Sequence, residues 1–211
     1  MIKDIFINIL SSSISVRFND VERSILEYVK EVYKKYKSVS HGFDHVMRVY
    51  NLSVKIGVKE NADINVLKIA ALLHDVGRVL YGEREHALKS AKIAKELLSK
   101  MGLEKEFISR VVEAIKAHSF SGKERPVSIE AKVLSDADKL DAIGAIGIAR
   151  CFMYAGEHKR SLEKSIEHFY EKLFLLKDLM YTKTAKEIAI QRHIFMEKYL
   201  QELKAELNML K

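Results

Sequence analysis

The chain has no tryptophan, one proline and one cysteine among its 211 residues, and only nine glycines. So few breakers leave little room for the many tight turns of a β-sandwich or barrel. The abundance of Lys, Glu, Ala, Leu and Ile favours helices, and the expected fold class is all-α. A lone Cys151 excludes an intrachain disulfide, and without a secretory signal pattern the expected compartment is the cytoplasm. No apolar stretch reaches 18 residues before Arg, Lys or Asp interrupts it, which excludes a membrane-spanning helix. Repeats, low-complexity linkers and composition shifts are missing too. One domain over residues 19–211 is therefore expected, with residues 1–18 as an arm or short helix of unassigned role.

What is present is globular: 48% hydrophobic and 31% charged residues can bury a sizeable core. The net charge of +7 suits anionic ligands, but 36 basic against 29 acidic residues are interspersed rather than gathered into a tail. That pattern fits a small anionic substrate, and nucleic acid is not favoured.

The chain is organised around Ala70-Ala71-Leu72-Leu73-His74-Asp75-Val76-Gly77-Arg78. An apolar helical run ends in an imidazole and a carboxylate, groups whose burial is costly without a partner. Either a divalent metal neutralises them, or His74 and Asp75 bond to each other at a helix end capped by Gly77. Upstream, residues 40–56 form a helix whose inward stripe is His45, Val49 and Leu52. A short connection makes it an antiparallel neighbour of the next helix, within reach of His74. Downstream, helices over about 84–101 and from about 104 place His86 and His118 at the ends of apolar stripes.

Three acids, Asp136, Asp138 and Asp141, then precede a nearly apolar stretch. Asp136 and Asp138 differ by about 200° around a helix, so only one of them is expected to be a direct ligand. Gly144 and Gly147 cost helix propensity, roughly 1 kcal/mol each, which a close helix crossing would explain. Residues 161–180 and 182 to the C-terminus are expected as two long helices.

In this order, His45, His74-Asp75 and Asp138 resemble the H…HD…D pattern of the HD-domain metal-dependent phosphohydrolases. The surrounding words agree: His41-Gly42-Phe43-Asp44-His45-Val46-Met47-Arg48-Val49, Ala71-Leu72-Leu73-His74-Asp75-Val76-Gly77 and Asp136-Ala137-Asp138-Lys139-Leu140-Asp141. The resemblance extends from about residue 40 to the C-terminus and is nearest to a small stand-alone branch of HD hydrolases. It also takes in His118-Ser119-Phe120, His168-Phe169-Tyr170-Glu171-Lys172-Leu173 and Arg192-His193.

The resemblance implies an HD-type helical bundle with its metal core at about residues 40–150 and C-terminal helices covering it. By similarity the ligands of a divalent transition metal, Mn, Ni, Co, Fe or Zn, are His45, His74, Asp75 and, in the last motif, Asp138 rather than Asp136. Open positions on such an ion suit a catalytic site, in which a water activated on the metal attacks phosphorus. Asp44 and Asp141 are candidates to orient a ligand imidazole or accept the water's proton. Arg78 and Lys139 are candidates to hold phosphate oxygens, and Lys172 and Arg192 to close over an anionic ligand. Arg48 is either a substrate contact or part of a buried ion pair. His86 and His118 are expected as substrate or acid–base residues beside one ion, the alternative being ligands of a second.

The expected activity is hydrolysis of nucleotides or related phosphate esters and anhydrides, pyrophosphate release from a nucleoside triphosphate among them. A di-iron oxidative enzyme and a non-catalytic helical binding module are the alternatives. The substrate's identity and the oligomeric state are left open.

Overall fold

A computed structural model describes residues 18–34, 40–119 and 124–208. Apart from Phe18, the arm anticipated over residues 1–18 lies outside the described residues, as do Lys35, Lys37 and Phe120. Among the described residues there is no strand. The helices are α1 (Phe18–Tyr33), α2 (Phe43–Lys59), α3 (Ile64–Leu73), α4 (Val76–Tyr81), α5 (His86–Lys100), α6 (Lys105–Ala117), α7 (Ile129–Asp141), α8 (Gly144–Glu157), α9 (Leu162–Glu171) and α10 (Lys183–Leu207), with a 3-10 helix over Leu173–Leu179.

The amphipathic outer helices and the apolar α3 explain the architecture. In α1, Val21, Ile25, Val29 and Tyr33 recur every fourth residue and are the buried stripe. In α3 the apolar residues surround the axis: Val66, Leu67 and every residue from Ile69 to Leu73 is buried. A helix of that kind must be enclosed, and α1, α2, α6 and α7 pack around it. Each fully buried Leu or Ile there contributes about 1.5–3 kcal/mol. Asp63 starts α3 by accepting from the backbone N–H groups of Asn65 and Val66 at 2.9 and 3.3 Å. The end of α3 therefore points its last residues into the centre of the protein.

There the helix breaks. His74 keeps helical dihedrals, but Asp75 has φ −112° and ψ 7°, and α4 starts afresh at Val76. Gly77 is not the cap of a terminating helix. It lies inside α4 where α5 crosses closely: a Cβ at Gly77 would stand 2.5 Å from the Ser90 nitrogen and 2.6 Å from the His86 carbonyl oxygen. Its own N–H donates to Ser90 Oγ at 2.8 Å. The terminator is Gly82, at φ +81°. Gly77→Ala is expected to destabilise the fold by about 1–3 kcal/mol through overpacking against backbone that cannot give way. A fall in melting temperature of about 2–12 °C is the calorimetric readout.

Further along, the acid-rich helix α7 stops at Asp141, and α8 begins at Gly144 with φ +77°. The two glycines serve different contacts. A Cβ at Gly144 would press on the Arg192 side chain of α10, whereas one at Gly147 would meet the Ala142 carbonyl oxygen at 2.2 Å, within the α7–α8 turn. A helix crossing accounts for the first and a local turn for the second. The C-terminal part also departs from two long helices. The first is short and continues as the 3-10 segment, after which Thr182 caps α10 by accepting from Ala185 N–H.

Candidate metal centre and cleft

Four imidazoles stand in a row at the break after α3. Ring centroids are 5.3 Å apart for His45 and His74, 5.1 Å for His74 and His118, and 5.4 Å for His118 and His86. Each reaches the row from a different element: α2, the end of α3, the end of α6 and the start of α5. In each, Nδ1 lies beside a pure acceptor. His45 Nδ1 donates to Asp141 Oδ2 at 2.7 Å, His74 to the Ala71 carbonyl at 2.7 Å, His118 to the Ile115 carbonyl at 2.6 Å and His86 to the Glu83 carbonyl at 3.1 Å. A carbonyl or carboxylate cannot donate, so the proton sits on Nδ1, and in the neutral ring Nε2 is left with a lone pair.

The lone pairs of His45, His74 and His118 face carboxylates rather than donors, whereas His86 Nε2 accepts from Arg78 Nη2 at 3.1 Å. His45 Nε2 and His74 Nε2 are 3.3 Å apart; His45 Nε2 lies 3.5 Å from Asp138 Oδ1 and 3.8 Å from Asp75 Oδ2. His74 Nε2 is 3.9 Å from the same Asp75 oxygen, and Asp75 Oδ1 is buried without a hydrogen-bond partner. His45 Nε2, His74 Nε2 and Asp138 Oδ1 are acceptors that face one another, and the orphaned Asp75 Oδ1 is a further buried acceptor beside them, a set that a cation would satisfy. The donor set fits a divalent ion: two imidazole nitrogens each about 2.1 Å from one ion are about 3.2 Å apart at an angle of about 100°. The groups able to hold one are His45 with His74 and Asp138, and, sharing His74, His74 with Asp75 and His118.

The electrostatics favour that use. Burial keeps His74 neutral, its pKa pushed down to about 4. Burial would raise the Asp75 carboxyl, but His74 and Arg78 outweigh it and hold it well below the ordinary carboxylate range. Asp138 is likewise lowered against burial, by His45 and His118. For His118 burial acts downward, and the Asp75 and Asp138 carboxylates more than offset it, so that imidazole sits above its usual range.

The residues singled out from the sequence divide in the structure. His45, His74, Asp75, Asp138, His86 and His118 are brought together, with Asp141 behind His45 and Arg78 beside Asp75. Asp141 accepts from His45, from Arg48 Nε at 2.7 Å and from Arg150 Nη1 at 2.8 Å. Arg48 is thus part of an ion-pair network. Asp44 is not brought in: its side chain is 62% exposed and pairs with Arg48. Asp136 turns away from Asp138 and accepts from the Tyr181 and Thr182 N–H groups and the Thr182 hydroxyl at 2.8–2.9 Å, anchoring the start of α10.

Lys139 follows Asp136. Its ammonium donates to Ser135 Oγ at 2.7 Å and lies over the Tyr181 ring at 4.6 Å. Arg192 donates to the Leu140 carbonyl, and its stem packs on Gly144. Both cations are spent on packing α10 and neither lines the cleft described next, whereas Lys172 does.

A cleft of about 330 Å³ opens beside the imidazole row, from Arg78 and His86 past Ser40, His41 and Arg150 to Tyr154, Arg160, His168 and Lys172. Glu83 is the only carboxylate among the described residues lining it, and Glu83 is paired with Arg78 at 2.6 Å. Burial, with Arg150 and Arg78 nearby, pushes His41 down to about 3. Of these wall residues only Arg78, His86 and Lys172 are candidates from the sequence. A signal for part of the rest exists, because Gly147, Arg150, Cys151 and Tyr154 fall at i, i+3, i+4 and i+7, one face of α8. Arg160 and His168 have no such signature.

The model for the HD domain matches residues 42–143, a span that holds His45, His74, Asp75 and Asp138. The uncharacterized protein YpgQ of Bacillus subtilis is 39% identical over 179 residues, covering 81% of this chain and 86% of that protein. The chain belongs to the HD-domain family. This HD-domain protein also matches solved structures along most of its length. The crystal structure of B. subtilis YpgQ in complex with ADP has a TM-score of 0.74 at 39% identity, over 88% of this chain and 97% of that one. A predicted HD-superfamily hydrolase from an uncultured Thermotogales bacterium gives 0.68 at 34% identity, over 88% and 92%. An HD-superfamily hydrolase from Bacillus thuringiensis gives 0.73 at 33% identity, over 91% and 99%. The fold is that of HD-superfamily hydrolases, with His/Asp groups able to hold a metal. Among the described residues no helix is long and apolar enough to cross a membrane.

Proposed function

We propose that this protein is a metal-dependent phosphohydrolase that acts on nucleotides, with His45, His74, Asp75 and Asp138 as the ligands of one divalent ion. The observation that carries the reading is the pair of imidazole nitrogens 3.3 Å apart, facing carboxylates, in an imidazole row whose His86 end lines a cleft rich in cations. When bound, a divalent ion supplies Lewis-acid chemistry: it lowers the pKa of water toward neutrality and offsets charge developing on phosphoryl oxygens.

The chain's own residues prepare that chemistry. Asp141 fixes the tautomer and direction of His45, as the Ala71 carbonyl does for His74. Arg78 faces the phosphate with charge that does not titrate. It is held by Asp75 at 2.9 Å, Glu83 at 2.6 Å and His86 Nε2 at 3.1 Å. Because that N–H occupies the His86 lone pair, His86 positions Arg78 instead of ligating a second ion. This arrangement supports one ion over two. His118 is buried 3.7 Å from Asp75 Oδ1 and does not line the cleft. That YpgQ was crystallised with ADP supports a nucleotide as the anion.

Elemental analysis of the purified chain is expected to find about one divalent metal, with phosphate or pyrophosphate released from a nucleotide panel only when Mn, Ni, Co, Fe, Zn or Mg is restored after chelation. Two irons and no release would replace this reading with an oxidative di-iron enzyme. Release that persists in chelator would remove the metal from the reaction.

A further inference from the structure

The end of the cleft away from the imidazole row holds a cation that no carboxylate among the described residues neutralises. Arg160 follows α8, and its guanidinium bonds only neutral acceptors: Nη2 donates to the Cys151 carbonyl at 3.3 Å and also lies 3.3 Å from Cys151 Sγ, and Nε donates to Ser165 Oγ at 3.3 Å. Its Cζ stands 5.5 Å over the Tyr154 ring. Among the described residues no Asp or Glu lies within ion-pair distance of it. His168 and Lys172 from the α9 turn complete this end. Burial, then Arg160 and Lys172, lower the His168 pKa. A half-buried guanidinium clamped by a ring, a hydroxyl and a carbonyl is rigid. Facing a cleft whose one carboxylate among the described residues, Glu83, is paired with Arg78, it matches an oxyanion.

We propose that Arg160, His168 and Lys172 form a distal phosphate subsite that sets the register of an oligophosphate chain and so selects which bond is hydrolysed. This rests on the phosphohydrolase reading for its consequence, though not for the binding itself. With the outermost phosphate of a triphosphate on Arg160, the inner phosphorus is the one presented at the metal centre. A water oxygen bonds to that phosphorus, the bridging P–O bond breaks, and the bridging oxygen leaves with the electron pair as part of pyrophosphate. The water's protons pass to solvent or to the leaving group. A substrate lacking the outer phosphates has nothing to engage Arg160 and gains nothing from it.

The test is calorimetric titration of the full chain, stripped with chelator, with inorganic tripolyphosphate and, separately, orthophosphate. Wild type is expected to bind tripolyphosphate more tightly than orthophosphate. Arg160→Met should weaken tripolyphosphate at least tenfold and change orthophosphate less than twofold. Because Arg160 also ties α8 to α9, Lys172→Met is the second variant, expected to move in the same direction with an unchanged melting temperature. In the metal-loaded protein, Arg160→Met should raise KM for a nucleoside triphosphate about tenfold, change kcat little and lower the pyrophosphate share of the product. Unchanged tripolyphosphate affinity in both variants overturns the subsite, as does failure of the wild type to bind tripolyphosphate. If the variants lose that affinity while the loaded wild type hydrolyses no nucleotide, the subsite stands and the proposed activity falls.

Discussion

Asp75→Asn is expected to reduce metal content from about one ion per chain to below a tenth, and to slow nucleotide hydrolysis by about a thousandfold. Asp75 sits where α3 breaks, and one of its oxygens faces His45 and His74 at 3.8 and 3.9 Å while the other is buried with no donor. The substitution preserves shape and removes the charge. The amide also brings a donor-bearing nitrogen into a place furnished with lone pairs, so one of its two orientations withdraws an acceptor from the ion. An ion's contribution of several kcal/mol to the transition state corresponds to about three orders of magnitude in rate. Elemental analysis and initial rates with saturating metal are the measurements. Since Asp75 also holds Arg78, a melting curve must accompany them. A variant that retains one ion and near-normal rates would remove Asp75 from the ligand set.

Asp141→Ala is expected to lower stability by about 3–5 kcal/mol, because it removes the carboxylate at the centre of a buried charged network. The carboxylate is buried and accepts from His45, Arg48 and Arg150, and the Arg150 guanidinium also donates to the Ser40 and Asp141 backbone carbonyls. Removing it leaves the Arg150 guanidinium with backbone carbonyls alone, Arg48 with only the exposed Asp44, and His45 without the acceptor that fixes its tautomer. Metal affinity should fall about 10–100-fold as well. Burial would raise the Asp141 carboxyl, yet His45 and Arg48 hold it far below the ordinary carboxylate range.

The sign for acid stability follows from that depression. The contribution is fully present above the unfolded carboxyl's pKa near 4 and is lost as pH falls from there toward the lower folded value. Denaturant titrations between about pH 5 and pH 2 should show wild type losing stability on descending this range. The variant should show a shallower slope there. Equal slopes in the two proteins would mean that Asp141 is not the group responsible.

Much of the helical order was readable before any coordinates. The four-residue spacing in α1, the apolar run of α3, Thr182 ahead of α10 and Gly102 after α5 are local signals, and each coincides with an element or its end. The nearness of His45 to His74 was also readable, because a short connection leaves two amphipathic helices little choice but to pair. Asp136 and Asp138 were separable by angle alone, though the angle does not say which of them faces the metal centre.

Other features depended on contacts distant in sequence. Lys139 and Arg192 carry the charge expected of phosphate ligands, but the docking of α10 on α7 and α8 supplies them with Tyr181, Ser135 and the Leu140 carbonyl. A cation bonds whatever acceptors packing brings to it. Asp44 neighbours His45 in sequence and points outward, while Asp141, 96 residues from His45, stands behind it. The sequence alone determined that this is an all-α HD-family chain and which imidazoles and carboxylates it has to offer a metal, because periodicity, breakers and adjacent motif residues are local properties. Only the tertiary structure decided where those groups point, that Arg78 engages the fourth imidazole, and that Arg160 stands in the cleft with no carboxylate partner among the described residues. Side-chain direction and charge pairing are set by whichever helices meet, and which helices meet is a property of the whole chain.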